Sequence, residues 1–383
     1  MRHSSFQSFF YCHCFRSILT PLFAVFLVLT TAAQENLLSN GDGPYIFYRN
    51  DSMVIKQVVS RFAIPIGTTS VYPIAAKKNM VIQVKFSNRR KWNFEVKLQP
   101  EIVNQRMIWD SPVKLLALSD IEGEFSALRS LLIGNKVIDK NYNWIYGTGH
   151  VVICGDLFDR GYNVTEQLWL LYKLEQDAVA KGGYLHIILG NHDIMNLSGD
   201  VRYVQPRYIQ NAAIVGKPYP ALFAEDTELG RWLRSKNIIE KIGDFLCLHA
   251  GISPAVQALN YSVEKINTLA RPYYSKGDPD SIGSDPVIGP LFTDDSPFWY
   301  RGYFISPRAT QSQVDSTLSF YQVKTIVIGH TIAAKNITGY YQNKVLGIDV
   351  NHHAGVHQAA FFENNTWYKV GIDGKKTLLF TIY

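Results

Sequence analysis

Five short apolar runs in this chain share one habit. Each ends abruptly in residues able to hold a cation. Lys114–Leu118 runs into Ser119-Asp120-Ile121-Glu122-Gly123, and Val151–Cys154 into Gly155-Asp156-Leu157-Phe158-Asp159-Arg160-Gly161. Tyr184–Leu189 runs into Gly190-Asn191-His192-Asp193, Phe245–Leu248 into His249-Ala250-Gly251, and Thr325–Ile328 into Gly329-His330-Thr331. A short, unbroken apolar run suits a strand buried on both faces. Between the first three runs, apolar residues recur at helical spacing. Phe125, Leu128, Leu131 and Leu132 form one set; Leu168, Leu171, Tyr172 and Leu174 lie in a helix over Glu166–Ala180 that Gly182-Gly183 closes. Strand, polar loop and helix in repetition constrain the chain to an α/β fold whose ligand site lies at the carboxyl ends of its strands.

One strand ending in a polar residue is routine. Five that offer carboxylate, amide and imidazole form a donor set: Asp120 with Glu122, Asp156, Asn191, His249 and His330. Mixed oxygen and nitrogen donors suit two divalent transition ions better than calcium, which takes oxygen. Asp156 has two oxygens and can bridge such ions. A pair of ions about 3.5–4 Å apart lowers the pKa of a shared water and clamps an in-line displacement at phosphorus. Beside these donors, His192 is a proton donor suited to neutral pH, and the planar guanidinium of Arg160 matches two phosphate oxygens.

The set Asp-x-Glu, Gly-Asp-x-x-Asp-Arg-Gly, Gly-Asn-His-Asp, His-Ala-Gly and Gly-His resembles the calcineurin-like metallophosphoesterases. Gly155–Gly161 matches the form used by their phosphoprotein phosphatase branch. The segment from Asn191 to Tyr203, together with Ser296-Pro297-Phe298-Trp299-Tyr300-Arg301, resembles the bacterial Shewanella-like phosphatases. The resemblance runs from about Leu115 to Asp349 and is most specific at Gly155–Gly161 and Gly190–Asp193. It implies an αββα four-layer sandwich that binds two divalent metal ions. Asp120 and Asp156 would hold the first ion, and Asp156, Asn191, His249 and His330 the second. His192, oriented by Asp159, would protonate the leaving oxygen; Arg160 and Arg301 would grip the phosphate. The implied reaction is hydrolysis of phosphomonoesters, of phosphoserine, phosphothreonine or phosphotyrosine in a protein or of a small molecule, by a hydroxide held between the metals. Phosphodiester or dinucleoside polyphosphate hydrolysis is the alternative among enzymes. An envelope binding protein with a degenerate site is the alternative outside them.

One departure stands out. The family has Asp-x-His at its first motif, and Glu122 stands where that histidine would be. With Glu122 as a ligand, the further carboxylate at the first ion favours manganese or iron, with zinc the softer option; without it, the first site is weak. Asp193 in place of glutamate and Ala250 in place of glycine remove no ligand.

The rest of the chain reads more plainly. Residues 1–33 resemble a secretory signal: Arg2 and Arg16, the apolar stretch Ile18–Leu29, and Thr31-Ala32-Ala33 before Gln34. The stretch is short for a membrane span. The expectation is an exported protein, periplasmic or secreted, with no lasting membrane insertion after cleavage. Residues 34–110 read as a small β-rich domain or extension. Within it, Val81–Phe86 and Trp92–Leu98 alternate at period two around a hairpin loop. Residues 111–383 form the metallophosphoesterase domain, with Lys344–Ile348, Val356–Phe362 and Thr366–Val370 as closing strands and Asn364-Asn365 in the last turn. The net charge of +6 is spread along the chain and its densest run is Arg89-Arg90-Lys91, so a nucleic-acid partner is not expected. Cys154 and Cys247 read as buried free thiols, and His186 as a satisfied core histidine. His352-His353 and the tyrosines Tyr203, Tyr208, Tyr300 and Tyr303 read as structural. Met195–Pro220 reads as a long connection.

Overall fold

The computed structural model describes residues 41–383 except 63, 88 and 277–281. The expected signal segment lies outside the described residues. The chain begins with a three-stranded antiparallel sheet, β1 (Asp42–Arg49), β2 (Ser52–Arg61) and β3 (Ile64–Pro73). A hairpin follows, β4 (Val81–Val84) with β5 (Phe94–Lys97). The period-two expectation is met there: Ile82, Val84, Phe94 and Val96 are buried, while Gln83 and Glu95 hydrogen-bond on the outer face.

The body comprises β6 (Ile108–Trp109), β7 (Lys114–Leu118), α1 (Phe125–Gly134), β8 (His150–Cys154), α2 (Val164–Val179), β9 (Tyr184–Ile188), α3 (Asn191–Ser198), α4 (Pro206–Val215) and α5 (Glu228–Arg234). It continues through β10 (Ile239–Ile242), β11 (Phe245–Leu248), β12 (Thr325–Ile328), β13 (Thr338–Tyr340), β14 (Val345–Gly347), β15 (Gln358–Glu363), β16 (Thr366–Gly371) and β17 (Lys376–Thr381). The strands form two six-stranded sheets, ordered β17-β16-β15-β7-β8-β9 and β13-β14-β12-β11-β10-β6. β7, β8 and β9 run parallel in the first sheet, and β11, β12 and β14 in the second. Parallel runs bring successive carboxyl ends to one edge, where all five polar loops emerge.

Alternation along each strand explains why these runs are apolar throughout. Leu115, Ala117, Val152 and Cys154 face the second sheet and meet Phe245, Cys247, Val327 and Leu346. Leu116, Leu118, Val151 and Ile153 face the other way, into the core under α1 and α2. With both faces covered, no position is left for a polar residue until the strand ends. Phe245 lies at the middle of the intersheet layer, and burying a side chain of that size stabilises the fold by about 1.5–3 kcal/mol.

The N-terminal sheet docks on this body through β1. Trp169 of α2 donates its indole N–H to Pro44 O (2.9 Å), Thr165 its hydroxyl to Asp42 Oδ1 (2.9 Å), and Asn211 of α4 its amide to Asp42 Oδ2 (3.1 Å). Tyr48 donates to Glu228 at the start of α5.

Two expectations needed correction. Met195–Pro220 contains the end of α3 and all of α4, which Pro206 starts and Gly216, at φ 77°, ends. A further strand, β17, follows the three closing strands. Asn364 and Asn365 do turn β15 into β16, both with positive φ (50° and 56°), as a two-residue hairpin turn requires. Cys154 and Cys247 are buried free thiols, not joined by a disulfide. His186 is satisfied, with Nδ1 2.7 Å from Glu240 Oε2 and Nε2 2.9 Å from His150 Nδ1. No helix among the described residues is long and apolar enough to cross a membrane.

Candidate metal centre

The loops at the strand ends turn sharply. Asp120, Glu122, Asp156, Asp159, Arg160 and His330 all have positive φ, between 45° and 76°. That region is sparsely used by residues other than glycine. Here it swings each side chain off its strand's axis and across the edge of the sheets. Two glycines let neighbouring loops nest. A Cβ on Gly155 would lie 2.8 Å from Gly190 Cα, and one on Gly190 would lie 2.6 Å from Asp156 N.

Hydrogen bonds tie the loops together. The Asp193 carboxylate accepts from the N–H groups of Gly190 (2.7 Å), Leu157 (2.8 Å) and Asp156 (3.1 Å). It thereby caps α3 and pins it to the loop after β8. His192 N donates to Asp156 Oδ1 (3.0 Å) and His330 N to Asp120 Oδ2 (3.0 Å).

Ligand atoms of Asp156, His249 and His330 lie within 4.8 Å of one another, as do those of Glu122, Asp156 and His192. Asp156 is common to both groups. Each imidazole has its tautomer fixed from behind. His249 Nδ1 donates to Cys154 O (2.7 Å), which turns Nε2 toward Asn191 Oδ1 (2.9 Å) and Asp156 Oδ2 (3.3 Å). His330 Nε2 donates to Trp299 O (3.1 Å), leaving Nδ1 as the free donor atom. Arg301 donates from Nη1 to His330 O (3.0 Å) and Thr331 Oγ1 (3.1 Å).

The charges call for a cation. Burial, with the Asp156 charge added, pushes the Asp120 carboxyl up to about 6 against the pull of His249. Burial disfavours a charged His249, yet Asp156 and then Asp120 carry it up to about 10. The His249 proton thus stands in for a positive ion, and an ion taking that place displaces it. Burial, His249 and Arg301 hold His330 well below its ordinary value, as a neutral donor. Fixed tautomers, crowded carboxylates and a proton in a cation's place fit a divalent metal centre.

The proton-handling group adjoins it. His192 is 4% exposed, with Nδ1 2.6 Å from Asp159 Oδ2. Asn196 donates to the other Asp159 oxygen (2.9 Å) and to His192 O (2.8 Å), locking the pair. Burial works against an imidazolium, but Asp156 and Asp159 outweigh it and raise the His192 pKa. Arg160 Nη2 lies 3.2 Å from His192 Nε2, and its Nη1 pairs with Glu122 Oε1. The other Glu122 oxygen lies 2.8 Å from His353 Nε2.

The structure thus gathers Asp120, Glu122, Asp156, Asp159, Arg160, Asn191, His192, His249 and His330 at one place, with Arg301 against the His330 loop. It adds three residues that the sequence reading did not place at the site: Asn196, Tyr203 and His353. Two structural assignments change. His353 is not structural alone: His352–Ala354 is a 3-10 turn, so His352 turns inward while His353 reaches Glu122 and Glu124. Tyr203 is 46% exposed, not packed away; its ring centroid is 5.0 Å from that of His192, and Arg160 lies over its ring. Tyr208 and Tyr303 are buried, as packing residues should be.

The chain belongs to the calcineurin-like phosphoesterases: the family model matches residues 113–333. It is a metal-dependent phosphatase of the Shewanella-like group. Among solved structures, the cold-active protein-tyrosine phosphatase of a psychrophilic Shewanella species superposes with a TM-score of 0.80 at 34% identity, covering 89% of this chain and 99% of that one. Shewanella-like protein phosphatase 2 of Arabidopsis thaliana is 25% identical over 302 residues, 67% of this chain and 75% of the relative. Shewanella-like protein phosphatase 1 of Plasmodium berghei is 28% identical over 237 residues, 60% of this chain and 64% of the relative.

Proposed function

We propose that this phosphatase hydrolyses aryl phosphomonoesters, phosphotyrosine in a protein or peptide being the class that fits best. The carrying observation is the group at the mouth: His192 held by Asp159, with Arg160 beside it and the half-exposed ring of Tyr203 against both. The solved Shewanella relative, a protein-tyrosine phosphatase, supports the same reading.

Asp120 and Asp156 would hold one metal ion, and Asp156, Asn191, His249 and His330 the other. When bound, such ions supply an acidified water and screen the phosphate's charge. The chain's own groups do the rest. Arg160 has further N–H donors beyond those facing Glu122 and His192, and these bind the phosphate oxygens as charge builds on them. Arg301 supports the same oxygens from the His330 loop. His192, with Nδ1–H held on Asp159, delivers the proton from Nε2 to the leaving oxygen. An aryl group on that oxygen would lie near the half-exposed ring of Tyr203, where ring contact is worth about 0.5–1.5 kcal/mol. The anionic first side favours manganese or iron over zinc. Residues 1–33 support export to the periplasm or the exterior.

The test is a panel of phosphotyrosine, phosphoserine, alkyl phosphate and diester substrates with manganese, iron or zinc. Phosphotyrosine should turn over fastest. His192→Ala should slow alkyl phosphates by about 10²–10⁴-fold, and aryl phosphates less, because a phenoxide leaves without much help. Equal losses on both classes, or faster turnover of diesters, would contradict the assignment.

A further inference from the structure

The 3-10 turn after β14 brings an imidazole to the mouth of the centre from outside the matched family segment, 113–333. Asn351 starts the turn, its Oδ1 accepting from Ala354 N (2.9 Å), and Gly355, at φ 81°, ends it. With about three residues per revolution, such a turn sets neighbours on different sides. His352 is buried and anchors the turn, while His353 stands on its outer side. There both of its ring nitrogens are engaged. Nε2 lies 2.8 Å from Glu122 Oε2, and Nδ1 lies 3.0 Å from Glu124 Oε1. A carboxylate only accepts hydrogen bonds, so the ring is the donor between two acids.

Glu122 is the residue at which the first motif departs from its family, and it is flexible for the place it fills. Freezing a glutamate side chain costs up to about 1.5–2 kcal/mol of rotamer freedom. Its backbone is stitched to the neighbouring loop: N donates to Asp156 O (3.0 Å), and O accepts from Gly161 N (2.8 Å). Those bonds fix the main chain and leave the carboxylate to other groups. Among the described residues, the one hydrogen bond that this carboxylate accepts comes from His353. The other oxygen, Oε1, is wholly buried and accepts none. It pairs with Arg160 Nη1 and lies 3.8 Å from His192 Nε2. Arg160 Nη2 in turn lies 3.2 Å from His192 Nε2. The Arg160 side chain is half-exposed, so its aim depends on the groups at its tip. By holding one oxygen of Glu122, His353 decides where the other points. An unbroken run of contacts thus leads from Glu124 at the surface to the guanidinium.

We propose that His353 is a positioning residue of this phosphatase: it clamps Glu122 from the surface side and so fixes the carboxylate oxygen that aims Arg160 at the phosphate. The Asp-x-Glu departure then has a counterpart elsewhere in the chain. A flexible acid stands in the motif, and an imidazole from the turn after β14 immobilises it. This rests on the phosphomonoesterase reading above.

The test is a double-mutant cycle on the metal-loaded, full-length protein, read by turnover of an aryl phosphate and by competitive inhibition with inorganic phosphate. His353→Ala should raise KM and the phosphate inhibition constant together, by about tenfold, on the scale seen when the outer partner of a site residue is lost. The change in kcat should be smaller, because the grip on phosphate is what loosens. Glu122→Ala should cost at least as much, and the double variant should be no worse than Glu122→Ala alone, since His353 acts through that carboxylate. His353→Gln keeps an N–H for Glu122 and should recover part of the loss. If His353→Ala lowers the melting temperature but leaves both constants unchanged, the proposal is overturned. Losses that multiply in the double variant overturn it equally, because His353 would then act apart from Glu122. If Glu122→Ala fails to fold, Glu122→Gln keeps the shape of the side chain and closes the cycle in its place. A wild type that turns over diesters and not monoesters would remove the proposed function by itself, and the same cycle read on the diester would still decide the coupling.

Discussion

The two sides of the metal centre are built on different principles. On the second side the donors are an amide and two imidazoles. His249 rests on Cys154 O, His330 rests on Trp299 O, and Asn191 meets His249. These atoms are aimed before any ion arrives. On the first side the side chains are Asp120 and Glu122, with Glu124 and His353 behind Glu122. That side has charge in excess and fewer fixed donors. The contrast teaches that a centre proposed to hold two ions need not be built symmetrically. One position can gain affinity from orientation and the other from charge. Orientation selects by geometry, whereas charge admits harder ions and weakens with ionic strength.

Asp156 is the group the two sides share, and its loss should erase the difference between them. Asp156→Asn is expected to abolish binding at both positions and to lower turnover by on the order of 10³-fold or more, since several kcal/mol of transition-state stabilisation depend on the ions. Metal quantification beside an aryl phosphate assay checks this. One full equivalent retained would show that the sides do not share a ligand.

A smaller effect separates the sides by pH. His249 carries a proton up to about 10 in the metal-free protein because of Asp156. Filling the second position must expel that proton, so affinity there should rise about tenfold per pH unit from 7 to 9. Calorimetry in buffers of different ionisation enthalpy measures the released proton directly. His249→Gln should abolish the release, and a release that survives it belongs to another group.

The smallest effect concerns the backing of the first side. His352 is buried, neither ring nitrogen has a partner, and burial with His357 holds its pKa down to about 3. A group whose folded pKa lies below its unfolded one favours the fold above the unfolded value, near 6.5, and loses that contribution as pH falls toward 3. His352→Leu should flatten this acid loss in chemical denaturation and add about 1–3 kcal/mol at neutral pH by removing unsatisfied nitrogens. An unchanged acid limb would mean that other groups set it.

Much of this was legible from residue order because the chemistry sits next to its strands. Asp120, Asp156, Asn191, His249 and His330 each follow an apolar run, and both runs and ligands could be read together. His353 and Tyr203 were hidden. A 3-10 turn gives no periodic signal, and a surface aromatic looks like a packing one until its neighbours are known. The Glu122 partners, Arg160 and His353, lie 38 and 231 residues away and meet it only through the fold. In the N-terminal sheet, β3 escaped notice because most of its residues are exposed, leaving no buried face to set a pattern.

The six residues with positive φ around the centre also shape how this chain can change. Each such position costs roughly 1–3 kcal/mol that the surrounding fold must offset. Glycine, asparagine and aspartate bear that cost most easily, and β-branched residues bear it worst. Variants selected for stability alone should therefore drift at Glu122, Arg160 and His330 toward asparagine or glycine. A lineage that keeps glutamate, arginine and histidine at those three places is under selection for what the side chains do.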